Sequence, residues 1–254
     1  MTDQVQVQVE NRVMAIRMNR PEKKNALTGA MYNAMRDALR KAGGNPQVRA
    51  VLLTGTQDCF TAGNDLADFA AAKPGEPVPA LTFLEVLTAT PKPVVAAVAG
   101  VAVGIGTTML LHCDLVYAAK SARFQLPFVN LGLCPEAASS MILPAMAGSH
   151  RASELLMLGE PFGADVGREI GLVNQVVDDA ELFAAAAAKA QALAEKPPAA
   201  MRATKALIKG SVSAAIAEAM KRESAQFGAL LQGPEAKEAM AAFMERRKPD
   251  WSKF

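Results

Sequence analysis

The chain opens on strict alternation: Val5, Val7 and Val9 are separated by Gln6 and Gln8, which predicts a strand with one wet face. Residues 13–18 read as a second strand. A polar, proline-broken loop covers 19–25, and then the period lengthens. Met31, Ala34, Met35, Ala38 and Leu39 fall on one face of a helix over 28–41, with Thr28 as its N-cap and Gly43-Gly44 as its stop. The largely apolar stretches 50–54 and 94–98 predict buried strands, and 115–118 and 173–177 read as two further strands. Between them, 60–66 reads as a loop and 70–79, rich in Ala, Pro and Gly, as a mobile one. Helices are expected at 107–112, opened by Gly104 and Gly106, and at 138–147, 151–158 and 165–170.

From residue 181 the strands stop. Four helical segments follow, at 181–195, 199–209, 212–231 and 235–247, divided by Pro197-Pro198, Gly210 and Gly233-Pro234. Strand–helix alternation with a helical tail predicts an α/β core over 1–195 and an α-helical region over 196–254.

Composition narrows the function more than the fold. At 254 residues the chain can bury a substantial core, and a net charge of +2 is too small to mark a nucleic-acid or membrane partner. Three cysteines with no C-x-x-C read as reduced thiols, and the N-terminus has neither the basic nor the apolar region of a secretory signal, so the expected location is cytoplasmic. The apolar run at 94–111 is broken by three glycines and two threonines and reads as core, not as a membrane span. Gly104-Ile105-Gly106 lacks the third glycine of a dinucleotide fingerprint, and no cluster has metal-ligand spacing.

Two loops and one acid remain. Ala62-Gly63-Asn64-Asp65-Leu66 follows a strand end, and Gly104-Ile105-Gly106 precedes a helix; each is a tight turn that could aim backbone N–H groups at one oxygen. Glu136 stands between Arg123 and Arg151 in sequence, with His150 the other titratable group nearby. It reads either as a first-turn helix acid or as a carboxylate whose burial would raise its pKa into the range of a general base.

These segments, with Asn19-Arg20-Pro21, Asn25-Ala26-Leu27, Pro91-Lys92-Pro93, Cys113-Asp114 and Gly171-Leu172-Val173, resemble the crotonase, or enoyl-CoA hydratase/isomerase, superfamily over nearly the whole chain. The resemblance implies a Clp-protease/crotonase-like spiral of ββα units. It implies an acyl-CoA thioester as ligand, with the Ala62 and Ile105 N–H groups as oxyanion hole and Gly104 in the second loop. Lys24 and Ala26, with Gly63, Asn64, Asp65 and Leu66, match its CoA-contacting segments. It implies no metal or redox cofactor, since CoA enters as part of the substrate, and a homotrimer or dimer of trimers assembled through 196–254.

Hydratases of that family carry two glutamates where this chain has Thr108 and Phe128. The segment Pro127-Phe128, Leu131-Gly132, Pro135-Glu136 instead resembles the peroxisomal-type Δ3,Δ2-enoyl-CoA isomerases, whose single base matches Glu136. Glycine usually follows that glutamate; Ala137-Ala138 departs from the pattern. Leu126, Phe128, Leu133 and Pro135 are expected at the acyl pocket, or, for the apolar three, in the core. The expectation is 3-enoyl-CoA to trans-2-enoyl-CoA isomerisation. Another crotonase reaction such as hydration, and a non-catalytic acyl-CoA- or RNA-binding role, stay open beside it.

Overall fold

The structure is a computed structural model that describes residues 3–65, 67 and 78–254. The first hairpin forms as the alternation requires: β1 (Val5–Glu10) pairs antiparallel with β2 (Val13–Met18). Thr28 caps α1 (Gly29–Gly44), its side chain accepting from Met31 N–H, and α1 buries Met31, Tyr32, Met35, Ala38, Leu39 and Ala42. The helix runs through Gly43-Gly44 instead of stopping before them.

Next come β3 (Ala50–Thr54), β4 (Cys59–Thr61), α2 (Pro79–Ala89), β5 (Val94–Val98) and β6 (Val101–Val103). After α3 (Ile105–Thr108) and a 3-10 turn (Met109–His112) follow β7 (Leu115–Ala119) and β8 (Arg123–Gln125). The order continues with α4 (Ser139–Ala147), α5 (Ser149–Ser153), a π-helical turn (Glu154–Leu158), β9 (Phe162–Gly163), α6 (Ala164–Glu169) and β10 (Gln175–Val177).

The strands form two sheets. The larger is ordered β1-β2-β3-β5-β7-β10, parallel beyond the first hairpin; the smaller is ordered β4-β6-β8-β9. Every residue of β3 and β5 is buried, as expected for central parallel strands covered on both faces. Three strands that the sequence reading missed, β6, β8 and β9, belong to the second sheet, and β4 takes in Phe60 and Thr61 from the expected 60–66 loop. The stretch 70–77 of the expected mobile loop lies outside the described residues, as does Leu66.

Three helices close the chain: α7 (Leu182–Ala194), α8 (Pro198–Leu231) and α9 (Pro234–Met244). Leu182, Ala186, Ala190 and Ala194 line the buried face of α7, which lies against β3, β5 and β7. The segments 199–209 and 212–231 are one helix. Gly210 has open space around it, and an exposed helical glycine costs only about 1 kcal/mol relative to Ala. Lys205 anchors α8: its Nζ donates to Asp114 Oδ2 at 2.6 Å and to Lys92 O at 2.8 Å. Among the described residues, no helix is long and apolar enough to cross a membrane.

Candidate active site

The two suspected loops meet through their glycines. A Cβ on Gly63 would lie 2.7 Å from Val103 O, and Gly63 has φ +90°, a left-handed backbone that suits glycine. A Cβ on Gly106 would lie 2.6 Å from Thr61 Cγ2. The β4 loop therefore packs directly on the β6–α3 turn.

Which N–H groups are free decides what these loops can bind. Ala62 N–H donates to Lys24 O at 2.9 Å and Gly63 N–H to Thr61 Oγ1 at 3.0 Å. The expectation that Ala62 holds a ligand oxygen is therefore corrected: that donor is spent on pinning the 24–27 loop. Leu27 N–H bonds Gly63 O at 2.8 Å and Asp65 N–H bonds Leu27 O at 2.9 Å, so both bonds made to Leu27 bypass the intervening Asn64 N–H. Among the described residues, Asn64 N–H has no acceptor. Ile105, as the first residue of α3, has no intrahelical acceptor either, as expected. Asn64 and Ile105 thus each leave a peptide N–H without an acceptor among the described residues, in one of the two touching loops apiece.

The Asn64 and Asp65 side chains hold this loop in place. Tyr32 Oη bonds Asn64 Oδ1 at 2.5 Å, and Arg20 Nη1 bonds both Asp65 Oδ2 at 2.6 Å and Ala26 O at 3.0 Å. Through its pair with Arg20, Asp65 shapes the loop.

Glu136 lies outside any helix. The helix α4 begins three residues later, so the first-turn reading does not hold; Arg151 pairs instead with Glu154 and Glu169, far from a role as its counter-ion. Thr108 Oγ1 donates to Glu136 Oε1. The carboxyl group is pushed up to about 7 by burial, against the lowering effect of the Thr108 bond and with a further push from the Glu223 charge. The residue keeps partial exposure because it lines a cavity.

That cavity, of about 160 Å³, is walled by Leu27, Tyr32, Leu81, Phe227 and Leu231. A larger cleft of about 910 Å³ adjoins it, and Asn64, Asp65 and Phe227 line both. Lys24, Ala26, Gly63, Gly104, Ile105, Phe128 and Leu133 line the cleft, as expected of ligand-facing residues. Leu126 and Pro135 line neither space; Leu126 is wholly buried in the core, so the core alternative holds for it. Sequence reasoning missed Lys23 and Arg246, which line the cleft together with Glu22, itself paired with Arg20, and the wall formed by Phe227, Met240 and Phe243. Those apolar residues lie on the helical segments expected at 212–231 and 235–247, and their sequence does not show what they face.

The remaining chemistry-bearing side chains stand apart from the cavities' reactive end. His112 is buried, with its Nε2 2.8 Å from Ala137 O and its pKa pushed down to about 4 by burial, so it is a neutral core histidine. His150 is exposed at the start of α5. Burial pushes the Cys59 and Cys113 thiols up to about 11 and about 12, far from reactive thiolates.

A buried carboxyl group, peptide donors left free on two touching loops, an apolar cavity and an adjoining cleft with Lys23, Lys24 and Arg246 along it form a site that has room for an elongated ligand with an anionic end. Comparison with known proteins agrees. The family model described as enoyl-CoA hydratase/isomerase matches residues 8–253. A 1,2-epoxyphenylacetyl-CoA isomerase from Escherichia coli (strain K12) is 33% identical over 96% of both chains. An enoyl-CoA delta isomerase 2 from Rattus norvegicus is 34% identical over 94% of this chain, which spans 62% of that relative. A crystal structure of an enoyl-CoA hydratase/isomerase from Pseudoalteromonas atlantica T6c superposes with a TM-score of 0.94 at 42% identity, covering 98% of this chain and 100% of that one.

The chain belongs to the enoyl-CoA hydratase/isomerase family. Its mixed α/β core with a helical C-terminal region is the crotonase fold.

Proposed function

We propose that the protein isomerises 3-enoyl-CoA thioesters to trans-2-enoyl-CoA, with Glu136 as its single base. The thioester oxygen sits between the Asn64 and Ile105 N–H groups. The CoA moiety follows the larger cleft past Lys24 and Ala26, with its phosphates near Lys23 and Arg246, and the acyl chain enters the smaller cavity beside Glu136.

Glu136 takes the C2 proton. The electron pair of that C–H bond spreads over the thioester oxygen and the C3=C4 double bond, giving a dienolate. Electrons return from the oxygen as the double bond settles at C2=C3, and the Glu136 carboxyl group delivers its proton to C4. The proton count is unchanged, so one carboxylate suffices. The two peptide donors stabilise the dienolate oxygen; losing one such donor costs about 2.7–4 kcal/mol of transition-state stabilisation.

The observation that carries this reading is the Thr108–Glu136 bond. Adding water to a double bond needs one group to activate water and another to handle the second proton. Thr108 and Phe128 are not carboxylates, and Phe128 is a buried cleft wall. Assaying 3-enoyl-CoA isomerisation beside 2-enoyl-CoA hydration tests it: isomerisation should dominate, and efficient hydration would overturn the assignment.

A second reading, supported by the similarity to the 1,2-epoxyphenylacetyl-CoA isomerase, keeps the same base and donors but acts on a different activated acyl-CoA. Exposed Leu207 and Ile208 on α8 and Phe243 and Met244 on α9 support association through 196–254 with further copies of the chain, as trimers or paired trimers.

A further inference from the structure

The turn that carries Glu136 is built on two alanines in an unfavourable conformation. Ala137 has φ +59° and Ala138 φ +57°, both left-handed, a region that costs a non-glycine residue roughly 1–2 kcal/mol. Ala138 is also the N-cap residue of α4, and alanine has no side-chain acceptor to cap with.

The missing acceptor comes from 85 residues away. Glu223 of α8, 7% exposed, takes Ala138 N–H on Oε2 at 2.6 Å and Ser140 N–H on Oε1 at 3.0 Å; Ser140 Oγ donates to the same Oε1. Among the described residues, Glu223 makes no ion pair. A buried carboxylate spent wholly on one turn and one helix start is costly unless its position matters.

We propose that Glu223 is a positioning residue for Glu136: it clamps the left-handed Ala137–Ala138 turn from α8 and so fixes the direction in which the base projects. This rests on reading Glu136 as the base. The same helix supplies Ser224, Phe227 and Leu231 to the cavity that Glu136 lines, so one rigid element sets both the acyl wall and the base.

The clamp also works through charge. Glu223 pushes the Glu136 carboxyl group in the basic direction. The other titratable groups around the pair are Cys134, raised by burial and neutral, and His112, neutral and held on Ala137 O with Lys209 beyond it. Asp65, paired with Arg20, stands across the cavity. Glu223 is therefore the charge whose removal Glu136 should register most.

The test is Glu223→Gln, which keeps an acceptor for Ser140 but turns a donor amide toward Ala138 N–H. The Glu136 carboxyl titration is followed by difference infrared spectroscopy, its band assigned by absence in Glu136→Gln. The titration should move to lower pH. In the isomerase assay kcat should fall roughly 10- to 100-fold with KM changed only a few-fold, as for a misplaced catalytic group. A lowered melting temperature with unchanged titration and kcat would overturn the proposal. Should Glu223→Gln not fold, adding Ala138→Gly should restore folding, because glycine takes the left-handed turn without a clamp, and the titration shift should persist. A double variant that stays unfolded, or titrates as wild type, also overturns it. A wild-type protein inactive on 3-enoyl-CoA would sink the reaction assignment instead, and leave the infrared readout able to judge Glu223.

Discussion

The Thr108 hydroxyl donates a hydrogen bond to Glu136 Oε1, so the position matching a hydratase glutamate instead supports a carboxylate from another loop. The bond favours the charged form of Glu136 against burial, which disfavours it. The balance leaves the group titrating at about 7. Activity should therefore rise with pH through that value as the carboxylate forms. Thr108→Val removes a bond that lowers the pKa, so the rising limb of kcat/KM against pH should shift to higher pH. A limb unmoved in that variant would mean that the bond does not tune the base.

The same raised pKa has a cost in stability with a definite sign. Folding lifts the Glu136 carboxyl from its ordinary 4.5 to about 7, so between those values the folded state binds more protons than the unfolded one. Its contribution to stability is then lost as pH rises from about 4.5 to about 7. Glu136→Gln should accordingly gain stability relative to wild type at pH 8, on the order of 3 kcal/mol, with a smaller difference at pH 5. Chemical denaturation at the two pH values checks this; a difference independent of pH would contradict it.

Gly63→Ala should separate the two donor loops. The new Cβ meets Val103 O at 2.7 Å and the backbone is left-handed there, so the loop must shift, at a cost of about 1–3 kcal/mol. Moving Asn64 N–H off line should lower kcat about 100- to 1000-fold, the usual loss for one oxyanion donor. Ligand binding measured alongside should weaken less than turnover does.

Phe227 lines both the cleft and the smaller cavity. Phe227→Ala enlarges the space where they join, so kcat/KM should rise for longer acyl chains relative to shorter ones. A chain-length series of 3-enoyl-CoA thioesters measures the ratio, and a uniform loss across the series would place Phe227 in support of the fold alone.

The sequence made the long-period features of this molecule readable and hid the short ones. β2, β3 and β5 have the expected bounds because each is a predominantly apolar stretch with polar or turn residues close by on both sides. β6, β8 and β9 span only two or three residues, too few to display a period, and they owe their existence to one another. Glu136 stood out because it is an acid beside apolar and small residues. Asn64 did not displace Ala62 as the expected donor because the choice depends on Lys24 O, a contact made across 38 residues. Glu223 carried no signal at all: on a long, mostly exposed helix it resembles any other surface glutamate until α8 is laid against α4.

The most direct measurement is turnover of a 3-enoyl-CoA thioester by wild-type protein and by Glu136→Gln, each checked for unchanged CoA binding. Wild type should form the trans-2-enoyl product, and the amide variant, which cannot accept the C2 proton, should lose at least about 100-fold in kcat with binding retained. Turnover by Glu136→Gln at the wild-type rate would show that another group moves the proton and would contradict the single-carboxylate account.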